Sequence, residues 1–113
     1  MTEKFEDILS IIKAIGNEKR LKILNFLLMG EKSFDALKKK TLLQKTALAN
    51  HLNKLIESAL IEKPIHGMYQ ITSDGKLFLT GIEKAYKQSD FLRKKQFSGQ
   101  FSKVFVKSFF RSG

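Results

Sequence analysis

The stretch Lys45 to Leu60, KTALANHLNKLIESAL, constrains the fold of this chain more than any other. Its apolar residues Leu48, Leu52, Leu55, Ile56 and Ala59 recur at steps of three and four, which on a helix draws them into one stripe. A helix with a single apolar stripe must bury it against a neighbouring layer, so the spacing predicts a helix packed on a core. The opposite face gathers Lys45, Thr46, Ala49, Asn50 and Asn53, a row of small, hydroxyl and amide side chains behind one cation. An ordinary solvated face would carry more Glu and Lys. Asn pairs with adenine in a bidentate manner and Lys reaches guanine acceptors or phosphate, so this row suits contact with base edges in double-stranded DNA. The competing reading is an amphipathic surface helix with no ligand.

Charge supports the same direction. Lys and Arg number 21 against 11 Asp and Glu, a formal net charge of +10, and such a surface attracts polyanions, nucleic acid or anionic lipid among them. Two basic zones stand out. One is Lys38-Lys39-Lys40 with Lys45 and Lys54, and the other holds Arg93, Lys94, Lys95, Lys103, Lys107 and Arg111 with no acid after Asp90. A chain of 113 residues with 42% hydrophobic content fits one small core. Cysteine is absent, which excludes disulfides and thiolate metal sites and favours a reducing compartment. No apolar run reaches the roughly 20 residues needed to span a bilayer, and the acidic start MTEKFED is unlike a signal peptide. The expectation is a soluble, cytoplasmic protein without a membrane partner.

In chain order, Glu3 to Ile15 places Phe5, Ile8, Leu9, Ile12 and Ile15 on one helical stripe that stops at Gly16. Asn17 is positioned to cap a second helix, with Glu18 in its first turn and Leu21, Leu24, Leu27 and Leu28 as its buried face before Gly30. Lys19-Arg20 reads as a solvated helix start or a phosphate contact. Ser33 caps a short third helix with Phe34 and Leu37 turned inward, and Lys38 to Lys40 closes it, either as cations on the helix dipole or as a patch against a nucleic-acid backbone. Ile61 to Lys63 and Met68 to Thr72 read as two strands of a hairpin around Pro64-Ile65-His66-Gly67. Thr72 or Ser73 then caps a fifth helix running to about Leu92, whose apolar stripe is Leu77, Phe78, Ile82, Ala85 and Tyr86. Beyond it Phe97, Phe101, Phe105 and Phe109 are spaced by four, with Val104 beside them.

These residues resemble the ArsR-type winged helix-turn-helix regulators of bacteria and archaea. The likeness runs from Ile12 to Leu79 and is carried by AIGNEKRLKILNFLL at 14–28, KTALANHLNKLIESALIEK at 45–63 and YQITSDGKLFL at 69–79. It implies a mainly α fold with a small β-hairpin, a recognition helix at 45–57 entering the major groove, a wing at 61–72 along the flanking backbone, and first and last helices that form a two-fold dimer. Three positions depart from the family pattern. Leu42 and Ala59 stand where glycine is common, and Gln44 replaces the usual Ser or Thr cap.

Other classes find little support. His51 lies beside the apolar stripe, where a packed or hydrogen-bonded role is expected, and His66 lies at a loop tip, so no ligand cluster for a metal forms. No phosphate-binding glycine loop follows a strand, and Asp74-Gly75 is a helix start, so neither an enzyme nor a cofactor is expected.

The expectation is a homodimeric, sequence-specific DNA-binding regulator. Its domain spans 1–92 and a basic, Phe-rich extension spans 93–113. Lys45, Thr46, Ala49, Asn50 and Asn53 are expected on bases; Ser33, Lys38, Lys39, Lys40, Lys54, Lys63 and His66 on the DNA backbone. The dimer interface is expected at Phe5, Leu9, Ile12, Phe78, Ile82, Tyr86, Phe101 and Phe105. The alternative is a protein or membrane-surface interaction module working through the basic Phe-rich tail. No residue pattern identifies an effector.

Overall fold

The computed structural model describes residues 4–89. Within them the order is α1 (Phe5–Ile15), α2 (Glu18–Leu27), β1 (Lys32–Ser33), α3 (Phe34–Thr41), α4 (Lys45–Glu57), β2 (Ile61–Glu62), β3 (Met68–Ile71) and α5 (Ser73–Gln88). The expected caps form: Asn17 Oδ1 accepts from Arg20 N at 3.1 Å, Ser33 Oγ from Ala36 N at 3.1 Å, and Thr72 Oγ1 from Gly75 N at 3.0 Å. Each satisfies one orphan amide of a helix start, a contribution of about 1 kcal/mol.

The core is the meeting of α2, α3 and α4. Ile23, Leu24 and Leu27 of α2 pack with Leu37 of α3, Leu48, Leu52 and Leu55 of α4, and Leu60 and Ile61 behind them. Burial of each such side chain contributes about 1.5–3 kcal/mol. The stripe of α2 differs from the sequence expectation: Ile23 is enclosed, Leu21 is half-buried and Leu28 is exposed. Two helical rows share Leu24 and Leu27, and α2 turns inward the row that also contains Arg20. In α4, Leu48, Leu52 and Leu55 are buried and Ile56 half-buried, whereas Ala59 lies past the helix end, exposed.

Leu42 and Ala59, which stand where the resembled regulators commonly have glycine, both adopt the left-handed backbone. Leu42 has φ 60° and Ala59 has φ 59°, each a cost of about 1–2 kcal/mol for a residue with a Cβ. Surrounding bonds hold them there. At the α3–α4 turn, buried Thr41 donates its hydroxyl to Leu37 O at 2.9 Å, Leu42 N donates to Lys38 O at 2.8 Å, and Lys19 Nζ donates to Thr41 O at 3.2 Å. After α4, Leu60 N donates to Leu55 O at 3.0 Å and the Thr72 hydroxyl reaches Ala59 O at 2.7 Å.

The expected two-stranded hairpin is a three-stranded antiparallel sheet of order β1-β3-β2. Ile61 pairs with Ile71 and Glu62 with Gln70, and on the other edge Lys32 pairs with Tyr69 and Ser33 with Met68. A two-residue strand has no periodicity to read, so β1 exists only through β3. Gly67, with φ 80°, shapes the wing tip, and its carbonyl accepts from Phe34 N at 3.0 Å. The fold is a winged helix-turn-helix with α3 and α4 as the pair and β2–β3 as the wing.

Helices α1 and α5 bury little. Within α1 only Ala14 and Ile15 are enclosed, and within α5 only Gly75 and Leu79. Their apolar stripes therefore remain largely on the surface.

Candidate nucleic-acid interface

On α4 the buried leucines and the outward residues lie on adjoining sides of the helix, with Lys45 and Ala49 at the border. Lys45, Thr46, Asn50 and Asn53 are exposed and Ala49 is half-buried. At about 100° per residue these five positions spread over roughly 140° of the helix surface, a face broad enough to lie along a groove. Gln44 precedes the helix with extended backbone and gives no side-chain cap. The positive end of α4 is thus left unscreened by a side chain, an arrangement favourable to phosphate. Gln44 is itself exposed beside Lys45 and Thr46, and it belongs with this face. In the sequence Gln44 is visible only as a missing cap.

The candidate backbone contacts come from three places. Lys38, Lys39 and Lys40 occupy the last turn of α3, directly before the turn into α4, with Lys39 and Lys40 exposed and Lys38 half-buried. Lys40 Nζ lies 5.3 Å from the Phe26 ring centroid, and Lys32 Nζ from β1 approaches the same ring at 4.8 Å. The shared ring brings a strand cation and a helix cation together, a pairing no sequence spacing indicates. Lys54 is exposed on α4, and Lys63 and His66 are exposed on the wing, where Lys63 Nζ stands 5.6 Å from the Tyr69 ring. Ile65 at the wing tip is also exposed. Ser33 is half-buried and its Oγ already serves as the α3 cap.

The Lys19-Arg20 pair has a different role from the one its sequence suggested. Arg20 is buried, and among the described residues its side chain meets Ala14 O at 2.6 Å, Lys13 O at 3.1 Å and His51 Nδ1 at 2.9 Å. Lys19 holds Thr41 O. Three of the five guanidinium donors are thus engaged within the fold, so Arg20 serves as an internal link and not as the solvated helix-start cation. His51, expected as a packed or hydrogen-bonded histidine, is the one bonded to Arg20. Burial first, then the neighbouring cations Arg20, Lys54 and Lys19, lower its pKa from the ordinary histidine value.

A second surface lies away from α4. Ile12 of α1 is 59% exposed and Phe78 and Ile82 of α5 are 41% and 36% exposed. Together with Ile8, Ile11 and Ile15 they line an apolar groove of about 300 Å³ between the two helices. Phe5 is also exposed, while Leu9 and Tyr86 are half-buried. Phe101 and Phe105 lie outside the described residues. Among the described residues no group of three His, Cys, Asp or Glu side chains is placed to hold a metal, and no helix is long and apolar enough to cross a membrane.

Comparison with known proteins places this architecture. Residues 17–63 match the model of the bacterial regulatory protein, arsR family, so this stretch is similar to that family's helix-turn-helix. The match takes in α2, β1, α3, α4 and β2, and so includes the helix that presents the candidate face. The fold is similar to HlyU from Vibrio cholerae, at 27% identity and a TM-score of 0.65, over 78% of this chain and 100% of that one. Reduced HlyU from the same organism is similar at 28% identity and a TM-score of 0.62, over 80% of this chain and 96% of that one. No curated protein sequence matches the chain significantly.

Proposed function

We propose that this arsR-type winged helix-turn-helix protein is a homodimeric, sequence-specific, cytoplasmic transcriptional regulator whose α4 reads double-stranded DNA. The observation that carries the reading is α4 itself: Leu48, Leu52 and Leu55 are consumed by the core while Lys45, Thr46, Asn50 and Asn53 stand outward beside the lysine-rich end of α3. In this reading Lys45, Thr46, Ala49, Asn50 and Asn53 meet bases in the major groove. Lys38, Lys39, Lys40, Lys54, Lys63 and His66 meet phosphates, with Ser33 adding a contact only through its hydroxyl proton. Net charge of +10 supplies the long-range attraction.

One recognition helix buries little on a duplex, so two are presented about 34 to 36 Å apart across a two-fold axis and read an inverted repeat. The apolar groove between α1 and α5 supports those helices as the dimer surface, because an exposed strip of Ile12, Phe78 and Ile82 is costly to leave in water. The test is a gel shift with the DNA upstream of the protein's own gene against a random duplex of equal length, beside sedimentation with anionic liposomes. Preferential retardation of the upstream DNA is expected. Liposome binding with no preference between the duplexes would replace this reading with the membrane-surface module.

A further inference from the structure

Arg20 closes the end of α1. A helix ends with four carbonyls that lack intrahelical partners, and a cation near them also meets the negative end of the helix dipole. In α1 those carbonyls are those of residues 12 to 15. Gly16 N donates to Ile12 O at 2.8 Å and Asn17 N to Ile15 O at 2.7 Å, and Arg20 takes the remaining two through Nη2 to Lys13 O and Nε to Ala14 O. Its Nη1 then spans to His51 Nδ1 at 2.9 Å, on α4. One buried side chain thereby joins the end of α1 to the middle of the recognition helix.

The chemistry of that last bond sets a condition. Guanidinium only donates, so His51 Nδ1 must accept, which requires neutral imidazole with its proton on Nε2. The other neutral tautomer would set donor against donor, and imidazolium would add cation against cation. The charges facing His51 are Arg20 and Lys19 from α2 and Lys54 from one turn along α4. Glu6 of α1 and Glu57 of α4 line the polar cleft, about 410 Å³, onto which Arg20 opens, together with Lys13 and Lys54. That cleft gives water access to Arg20.

We propose that Arg20 and His51 are positioning residues for the recognition helix, holding α4 against the end of α1 only while His51 is neutral. The proposal rests on α4 being the helix that reads DNA. Acid then acts on specificity rather than on charge attraction: loss of the Arg20–His51 bond lets α4 shift, while the added proton makes the protein more cationic. Binding to the specific duplex falls relative to random DNA.

Because its pKa is lowered in the fold, the stabilisation from neutral His51 is fully present above the ordinary value of about 6.5 and is lost as pH falls from there through the folded-state value. The test compares wild type, His51→Gln and His51→Leu between pH 7.5 and 5.0. Gln offers Arg20 an amide oxygen that does not titrate; Leu offers none. Fluorescence anisotropy on the upstream and random duplexes reads the ratio of affinities, and thermal melting reads the fold. The wild-type ratio is expected to fall about two- to tenfold on acidification, the worth of one hydrogen bond. His51→Gln is expected to hold the wild-type pH 7.5 ratio throughout, and His51→Leu to show the reduced ratio at every pH. Identical pH profiles for wild type and His51→Gln, or a wild-type ratio in His51→Leu, would overturn the proposal. If wild type prefers neither duplex at pH 7.5, the DNA-reading function fails first. Melting then judges the bond alone: a wild-type midpoint that drops with acid no more than that of His51→Gln overturns it too.

Discussion

Asn50 stands exposed on α4 with its amide unencumbered by the core, and a bidentate amide is the side chain best matched to adenine in the major groove. Asn50→Ala is expected to cost about 1 to 3 kcal/mol on the specific site and little on random DNA. Lys39→Ala should weaken both and reduce the salt slope by about one unit, as one phosphate contact is lost. Equal losses on both duplexes for Asn50→Ala would remove it from base reading. Leu42 and Ala59 provide a separate check on backbone physics. Leu42 is 87% exposed, so its side chain contributes little burial, yet it holds a left-handed conformation. Leu42→Gly and Ala59→Gly should each stabilise the fold by about 1 kcal/mol in urea unfolding, and the pair should add. A destabilised Leu42→Gly would mean that Leu42 packs against something in solution.

Among the elements, α5 depends on its first turn. A Cβ on Gly75 would meet Leu60 O at 2.4 Å and Ile71 Cγ1 at 2.7 Å, so the helix start is seated directly on the β2–β3 corner. Leu79 is the next anchor, and past it the helix carries its apolar residues on the surface. Gly75→Ala is expected to destabilise by about 1 to 3 kcal/mol through overpacking against backbone, read as a lower melting temperature. An unchanged melting temperature would mean that α5 can lift off the corner without loss. Thr72 is the linchpin of this corner, since one hydroxyl caps α5 and reaches the carbonyls of Ala59 and Leu60. The α3–α4 turn has the same character: Thr41 and Lys19 hold a left-handed Leu42 that the local sequence disfavours.

For the whole molecule, the decisive quantity is what covers the α1–α5 groove. Ile12→Asp on α1 places a charge where the proposed two-fold contact buries apolar surface, and Phe78→Asp does the same on α5. Either is expected to shift the protein toward monomer in sedimentation at micromolar concentration, with melting of the isolated protomer little changed, because both positions are exposed. Tight DNA binding by a persistent monomer would contradict the two-fold arrangement. The extension that carries Phe101 and Phe105 lies outside the described residues, and its proposed share in the interface has its own measurement. Truncation after Gln96 should lower both melting temperature and dimer fraction, and no change in either would take the extension out of the contact.

Short-range spacing in the sequence was enough to locate most of the local structure. The α4 stripe, the caps at Asn17, Ser33 and Thr72, the five helices and the wing hairpin all follow from spacings within one or two turns. The exposed face of Lys45, Thr46, Asn50 and Asn53 was legible for the same reason: it is the complement of a readable stripe. Only the tertiary structure decided the rest. Strand β1 is two residues long and is defined by the partner it pairs with. Choosing between Ile23 and Leu28 as buried residues depended on the angle at which α2 meets α3 and α4, since two rows share the same leucines. Arg20 looked like a solvated helix-start cation because nothing local records that the end of α1 and the side of α4 converge on it. Its partners His51, Lys13 and Ala14 lie at separations of 31, 7 and 6 residues, and convergence at such distances is set by packing, not by pattern.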